Sequence, residues 1–567
     1  MDHPCVLAVS PFPGRWLPLC GKKDVAACYG LVMVVRTVAV LLFFFAGAFA
    51  GEERRIYVDP RAGSDTNSGA EAQPLKTVAA AVNVATENRR QGLPTTVTLR
   101  PGVYRESIHL VGQGPADAPA IVLQADKIGA AIITGSDRWG DWQEDPSPPA
   151  RYSHPWPYKW GACQVPAGWP GIQPLGLRRE MIFVNGELLA QVLSLQDMRA
   201  AAFFIDEAGD RVYLWPPAGV DLPAAAGEVA VRPVLFESNG ASNLTLRGLV
   251  FEHANSCIGT KPGAAVMISG GSHVIVEDAA FRWNNWIGLD LFSLTGSLIR
   301  RTAANDNGEL GINAFRLKDA TFADVEASRN NWRGGGLGKL FTWEPSGAKL
   351  LRIHGAQLER FTAIGNQGRG LWFDTDNSDI EIRHAYLAAN QTGGIDLEAS
   401  AGPITIANSR ICSNGREGVQ GNQSESVKLI DNIIYDNQRA QIWVSVTSKP
   451  RADTNWESKE KFAVLARNWT IVGNTIVGAN ATEFLYQGFV FIDPTSGPFL
   501  STLIADHNTW YNPANAEPFQ LDTGAFKRLP KNVDFAAWKE ATGQDAHSKF
   551  GPPAASPAGL CEGLEQR

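Results

Sequence analysis

Asparagine returns at a nearly fixed interval through the middle of this chain. Asn307, Asn331, Asn366, Asn390, Asn414 and Asn437 stand in turn-like settings, one coil length apart except for a single longer gap between Asn331 and Asn366. The interval is about 24 residues, and self-similarity at such a period marks a repeat architecture. Between the asparagines lie short runs such as Asp379-Ile-Glu-Ile382, Ile404-Thr-Ile406 and Val427-Lys-Leu-Ile430. Their apolar and polar residues alternate with the period of two expected of strands. A repeat of this length made of short strands is one coil of a solenoid. Leucine-rich repeats share the length, but their Leu-x-x-Leu-x-Leu consensus is absent here. Asparagines at the same turn of successive coils stack and hydrogen-bond as ladders, which explains a polar residue kept in phase. The gap from Asn331 to Asn366 exceeds one coil by nearly half, so an insertion lies between Arg333 and Lys349.

The pattern extends back through Asn243–Phe251 and His273–Phe281 and forward through Trp469–Asn474 to about Trp510. Residues 138–232 interrupt it: Met181–Gly186, Phe203–Asp206 and Arg211–Trp215 read as antiparallel strands joined by turns. The predicted fold is therefore all-β, a right-handed parallel β-helix with an inserted β-rich, sandwich-like domain. Residues 51–137 form its N-terminal cap and first coils, 138–232 the insertion, 233–512 the main solenoid, and 513–567 a C-terminal cap with a flexible tail. Ile56–Asp65, with Pro74–Val78 and Leu99–Arg105, resembles the opening coil and capping helix of secreted pectin-lyase-like β-helix proteins.

Composition agrees: 567 residues with 56 Gly, 17 Trp and only 5 Met suit turn-rich β structure better than helical bundles. A formal charge of −7 and the lack of a long Lys/Arg run exclude a nucleic-acid footprint or an anionic-lipid patch. Arg36, the apolar run to Ala50 and the small residues Ala48 and Ala50 read as a signal peptide cleaved after Ala50. The apolar run is too short for the ~20 residues of a membrane-spanning helix. The predicted protein is thus secreted or periplasmic, without stable membrane insertion, and the segment before Met33 reads as upstream of the true start. Four cysteines remain after cleavage: Cys163, Cys257, Cys412 and Cys561. Without a Cys-x-x-Cys pair they are expected as buried thiols, with one disulfide as the alternative.

Aligning coils by their glycines sets Gly370–Asp376 over Gly394–Ser400 and Gly418–Ser424, each one coil from the next. Side chains alternate across a strand. Leu371, Phe373, Ile395, Leu397 and Val419 then point inward, while Trp372, Asp374, Asp376, Asp396, Glu398, Gln420 and Asn422 point out. Asp374 falls beside Glu398 on neighbouring rungs, whose backbones lie roughly 4.8 Å apart. Two carboxyl groups about 5–5.5 Å apart are the pair of a retaining glycosidase, one attacking the anomeric carbon and the other serving as acid and then base. Stacked like charges also raise one pKa toward neutrality. A solubilising acidic face and a Ca²⁺ site made by Asp374, Asp376, Asp396 and Glu398 are the competing readings. Trp343, Lys349 and Asn422 are further candidate substrate contacts with Trp372 and Asp396, while Lys339 and Glu344 belong to the same insertion. Trp283, Trp286 and Trp332 read as loop packing, and His354 as structural.

Gly370-Leu-Trp-Phe-Asp-Thr-Asp-Asn377, followed by Leu397-Glu-Ala-Ser-Ala-Gly-Pro-Ile404 and Asn408, resembles the paired signature of β-helical retaining β-xylosidases. The resemblance is carried by these motifs and their surroundings, and the rest of the chain shares the fold. It implies Glu398 as acid/base and Asp374 as nucleophile, with Asp376 as the alternative nucleophile, no cofactor, and an inserted β-sandwich. Ala401 stands where those enzymes are expected to carry His. Two other functions stay open. One is a Ca²⁺-dependent lyase on uronate polymers, with Lys349 or Arg369 as base. The other is a carbohydrate-binding solenoid without catalysis.

Overall fold

The structure, a computed structural model, describes residues 52–111, 115–146, 151–164, 172–222, 227–258, 263–335, 345–490, 497–521, 531–556, 559 and 561. The expected signal peptide and Met33 start, and the insertion residues Lys339, Trp343 and Glu344, lie outside them. Among the described residues no helix is long and apolar enough to cross a membrane.

The alternating runs form strands, and equivalent strands of successive coils pair in parallel. One sheet stacks Ala264–Ser269, Ile287–Phe292, Leu310–Phe315, Ser346–Leu351, Arg369–Asp374, Ile395–Glu398, Glu417–Asn422 and Ala440–Val446 in order. Each coil also adds strands such as Ser378–Arg383 and Tyr386–Ala388 to a 24-stranded sheet. This is a parallel β-helix, and its interior is a set of aligned apolar columns. Leu371, Ile395, Val419 and Ile442 are register partners, all fully buried. Each such side chain contributes about 1.5–3 kcal/mol of burial.

The turn between sheets carries the polar ladder. Asn284, Asn307, Asn330, Asn366, Asn390, Asn414 and Asn437 each donate a side-chain amide proton to the next member, ending on Gln441, at 2.8–3.1 Å. The expected Asn331 is not a rung. Asn330 is, and its spacings are 23 and 36 residues. Asn331 adopts φ +68° and donates to the Gln367 carbonyl instead. In the left-handed region that asparagine tolerates, its side chain leaves the stack. A second ladder, Asn432–Asn474–Asn508, runs along another corner.

Both ends of the apolar column are covered. Val78–Arg90 forms a helix whose N-cap Thr77 accepts from the Ala80 amide, and Val78, Ala81, Val82 and Ala85 face the first coil. At the other end the helix Phe535–Thr542, capped by Asp534, buries Trp538 completely. The Asp545 carboxylate, itself fully buried, accepts from Trp510 Nε1 (3.0 Å) and Trp538 Nε1 (2.8 Å).

Between Ser136 and Ala230 the chain leaves the solenoid and builds a four-stranded and a five-stranded sheet around Trp142, Trp156, Phe203 and Leu214. Trp283 and Trp332 pack against Met181 and Phe183 of this insertion. Trp286 is buried in a separate cluster with Cys163 and Ile258. Arg333, buried beside Asn285, donates to the Glu180 and Leu175 carbonyls, and burial pulls its pKa down to about 10.

The cysteines are not free thiols. Two disulfides form, Cys163–Cys257 between insertion and solenoid and Cys412–Cys561 between a coil and the C-terminal segment. Spacing alone could not pair them, since both are brought together by long-range folding. The second closes a loop of 149 residues. Cys561→Ser is expected to cost about 2–4 kcal/mol, read as a lower urea midpoint than wild type. An unchanged midpoint would mean that packing around Tyr386, whose hydroxyl donates to the Cys561 carbonyl at 2.6 Å, suffices by itself.

Candidate active site

The site lies on the outer face of the first sheet, where register puts chemically unlike side chains into two neighbouring columns. One reads Asn313, Lys349, Trp372, Asp396, Gln420 and Trp443. The other reads Leu351, Asp374, Glu398, Asn422 and Ser445. Asp374 and Glu398 are thus direct register partners on adjacent rungs, with side chains 16% and 19% exposed.

Each carboxylate has its own cation. Lys349 Nζ lies 3.2 Å from Asp374 Oδ2, and Thr375 Oγ1 donates to Asp374 Oδ1 at 2.8 Å. Arg451 Nη1 donates to Glu398 Oε1 at 2.6 Å. Arg369 Nε donates to Asp396 Oδ2 at 2.8 Å. Like-charged neighbours that would repel are thereby tied into alternating pairs, which lets the acidic groups share a small face.

Asp376 differs from its neighbours. Thr375 and Asp376 both have positive φ (50° and 56°), so the chain turns away from the sheet and the expected outward alternation ends at Asp374. The Asp376 carboxylate is buried, accepting from the Trp456 amide (2.7 Å) and Asn455 Nδ2 (3.3 Å) and pairing with Arg352 (3.5 Å) and His354 (3.3 Å). Asp376, expected on the outward column, is therefore turned off it and anchors a loop in this structure.

That loop belongs to a hairpin, Arg451–Thr454 with Lys461–Val464, which departs after Ala440–Val446 and folds back over earlier coils. It supplies Arg451 to Glu398, Asp453 to Arg352 (3.2 Å) and Glu457 to both His354 (3.2 Å) and Lys318. No motif in the sequence pointed to it, but the period did carry a signal. Asn432 to Asn474 spans 42 residues where Ser409 to Asn432 spans 23, so nearly a whole extra coil length is inserted there.

Trp372 is not an exposed stacking platform. It is 3% exposed, with Lys349 Nζ 4.0 Å and Arg369 Cζ 4.3 Å from the ring centre. Its π face steadies the two cations that hold Asp374 and Asp396. Asn422 remains partly exposed beside Glu398. Trp343 lies outside the described residues, although the strand Ser346–Leu351 that follows it adjoins Arg369–Asp374. Asp374, Asp376, Asp396 and Glu398 do not converge on one point: among the described residues only Asp506, His507 and His547 bring three ligand atoms within 4.8 Å of one another.

Asp396 is 1% exposed, and burial, outweighing the Arg369 pair, pushes its pKa up to about 7. Burial works against a proton on His354, but its hydrogen bonds to Asp376 and Glu457 prevail and raise its pKa. Both shifts carry the same sign for stability. The Asp396 contribution is complete below its unfolded value near 3.9 and is lost as pH rises through about 7; that of His354 is lost as pH rises from about 6.5 through its raised value. The thermal midpoint is therefore expected to fall between about pH 5 and about pH 8, and to fall less in Asp396→Asn. Equal slopes in wild type and variant would mean that Asp396 stays ionised throughout.

The family description "right handed beta helix region" matches residues 264–420 and 340–515. The solenoid is a right-handed parallel β-helix. Among solved structures, the complex of XylC with xylose aligns with a TM-score of 0.58 at 16% identity, over 81% of this chain and 84% of that one. A glycoside hydrolase aligns at 0.48 and 11% identity over 81% and 97% of the two chains. The A-module of the Azotobacter vinelandii mannuronan C-5 epimerase AlgE4 aligns at 0.46 and 16% over 84% and 96%. The first likeness bears on the β-helix fold alone. No curated protein matches the sequence.

Proposed function

We propose that this β-helix protein is a secreted retaining glycoside hydrolase acting on xylan-type oligosaccharide or polysaccharide, with Asp374 as nucleophile and Glu398 as acid/base. The observation that carries the reading is the register pairing of these two partly exposed carboxylates on adjacent rungs. Rung spacing of about 4.8 Å suits the separation of a retaining pair, and leaves too little room for the water of an inverting one.

Asp374 attacks the anomeric carbon while Glu398, protonated on Oε2 with Arg451 on Oε1, gives that proton to the departing oxygen. Water then attacks the glycosyl ester, losing its proton to Glu398 and releasing Asp374. Lys349 and Thr375 hold the nucleophile's two oxygens at fixed angles, and Arg451 fixes Oε1 of Glu398. The two disulfides favour an oxidising compartment, in keeping with export. A Ca²⁺-dependent lyase is the weaker reading, because an organic cation already neutralises each carboxylate that the ion would need.

The test is release of reducing sugar from aryl glycosides and plant oligosaccharides by wild type, Asp374→Ala and Glu398→Gln, with and without chelator. Chelator-insensitive release, abolished by Asp374→Ala, is expected. Unsaturated, ultraviolet-absorbing product from uronate polymers that stops with chelator would replace the hydrolase by a lyase.

A further inference from the structure

At the C-terminal end of the solenoid, on a different sheet from the carboxylate pair, one acidic and two imidazole side chains meet. Asp506 ends the strand Ile504–Asp506, three coils beyond the one that carries Glu398. His507 follows it at the turn, with φ +57°. His547 comes from the terminal cap segment, which runs beside the last coil: the Asp545 amide donates to the Ala505 carbonyl (2.7 Å), and Lys549 pairs with Thr509.

The carboxylate is held by one oxygen and offers the other. Asp506 Oδ1 accepts from the backbone amides of His507 (2.9 Å) and His547 (2.7 Å). Oδ2 points to His547 Nδ1 at 2.7 Å and His507 Nε2 at 3.8 Å, and the two imidazoles stack at 5.2 Å with 11° between planes. Two backbone amides thus aim the carboxylate, while the rings, 64% and 69% exposed, touch each other and the carboxylate at the surface rather than the core.

We propose that Asp506, His507 and His547 form a binding site for a divalent first-row metal ion, Zn²⁺ being the best match, which clips the C-terminal cap to the last coil. Two imidazole nitrogens and one carboxylate oxygen are the donor set of three-ligand zinc sites, with water completing the tetrahedron. Ligand bonds of about 2.0–2.2 Å place tetrahedral donors about 3.3–3.6 Å apart. The observed 2.7 and 3.8 Å bracket that separation, so small movements of exposed rings admit the ion. The ion replaces the proton shared by Asp506 and His547, and that proton leaves to solvent.

The ion's effect is to join two segments of the chain. The Cys412–Cys561 disulfide ties the C-terminal segment to a coil three rungs before the last one, and a metal bridging residues 506–507 and 547 adds a second, reversible tie at the last coil. It does not rest on the hydrolase reading.

Zinc titration calorimetry on full-length protein lacking a polyhistidine tag, paired with Co²⁺ absorption, tests it. One ion per chain is expected, with visible d–d bands of tetrahedral Co²⁺ and a zinc-dependent rise in thermal midpoint. His547→Ala and His507→Ala are each expected to weaken binding by at least about tenfold, as losing a direct ligand exceeds the 10- to 100-fold cost of losing its supporting hydrogen bond. Without zinc both variants are expected to unfold in a single cooperative transition as wild type does, and only the zinc-dependent rise in midpoint is lost, which separates loss of a ligand from misfolding. Absence of a one-to-one isotherm in wild type, or equal affinity in wild type and both variants, overturns the proposal.

Discussion

Asp374→Ala is expected to lower turnover of an aryl β-glycoside by about four orders of magnitude or more, the scale on which removing a covalent nucleophile acts. Glu398→Ala is expected to behave differently, losing about 10²–10⁴-fold on substrates with poor leaving groups and far less when the leaving group departs without a proton. Added azide distinguishes the two roles. In Asp374→Ala it occupies the vacated side of the sugar and gives a glycosyl azide of inverted configuration. In Glu398→Ala it attacks the ester on Asp374 and gives the retained product. Asp376→Ala is the control, because its carboxylate is spent on Trp456, Asn455, Arg352 and His354. Its effect is expected on hairpin order and stability, with no rescue by azide. Azide rescue of Asp376→Ala with inversion would move the nucleophile there.

The largest stability effect is expected from the ladder. Asn390→Ala removes an acceptor for the Asn366 amide (3.1 Å) and Asn366 Nδ2 (2.9 Å), and a donor to Asn414 Oδ1 (2.9 Å) and the Ala363 carbonyl (3.0 Å). All of these sit where water is excluded. Asn366 Nδ2 keeps the Ala327 carbonyl (2.9 Å) and Asn414 Oδ1 keeps the Asn390 backbone amide (3.1 Å), so two groups lose their partner outright; at about 1–3 kcal/mol for each group left unsatisfied, a total of about 2–6 kcal/mol is expected. Urea denaturation of Asn390→Ala beside wild type measures it. A loss below about 1 kcal/mol, the net worth of one ordinary hydrogen bond, would mean that water enters the turn and satisfies the stranded groups.

The fold was legible because one corner of each coil demands the same residue type. Ladder and core columns together set a period that survives insertions, and parallel register follows once the period is known. What misled was local. Asn330 and Asn331 differ by a single position, and only the left-handed backbone of Asn331 removes it from the stack. The column assignments of Asp374, Asp396 and Glu398 followed from strand alternation. Asp376 did not, because alternation stops where φ turns positive. Trp372 lay on the expected column, yet its neighbours Lys349 and Arg369 cover it, and their reach is a property of long side chains that a period cannot encode. The disulfides and the Arg451 hairpin join segments far apart in the chain, so no local pattern announces their partners.

A stack of coils in which each touches only its neighbours behaves like a one-dimensional chain of weakly coupled units and frays from its ends. The hairpin beginning at Arg451 breaks that rule by clasping Glu398, Arg352, His354 and Lys318 on coils already wound long before it. Opening the solenoid from its C-terminal side as far as Ala440–Val446 would therefore pull a guanidinium off Glu398 while the coils bearing Asp374 and Glu398 stay intact. During synthesis the order reverses: both carboxylates are in place for 53 residues of further elongation before Arg451 reaches them, so assembly of the scaffold and assembly of the site are separate events in time.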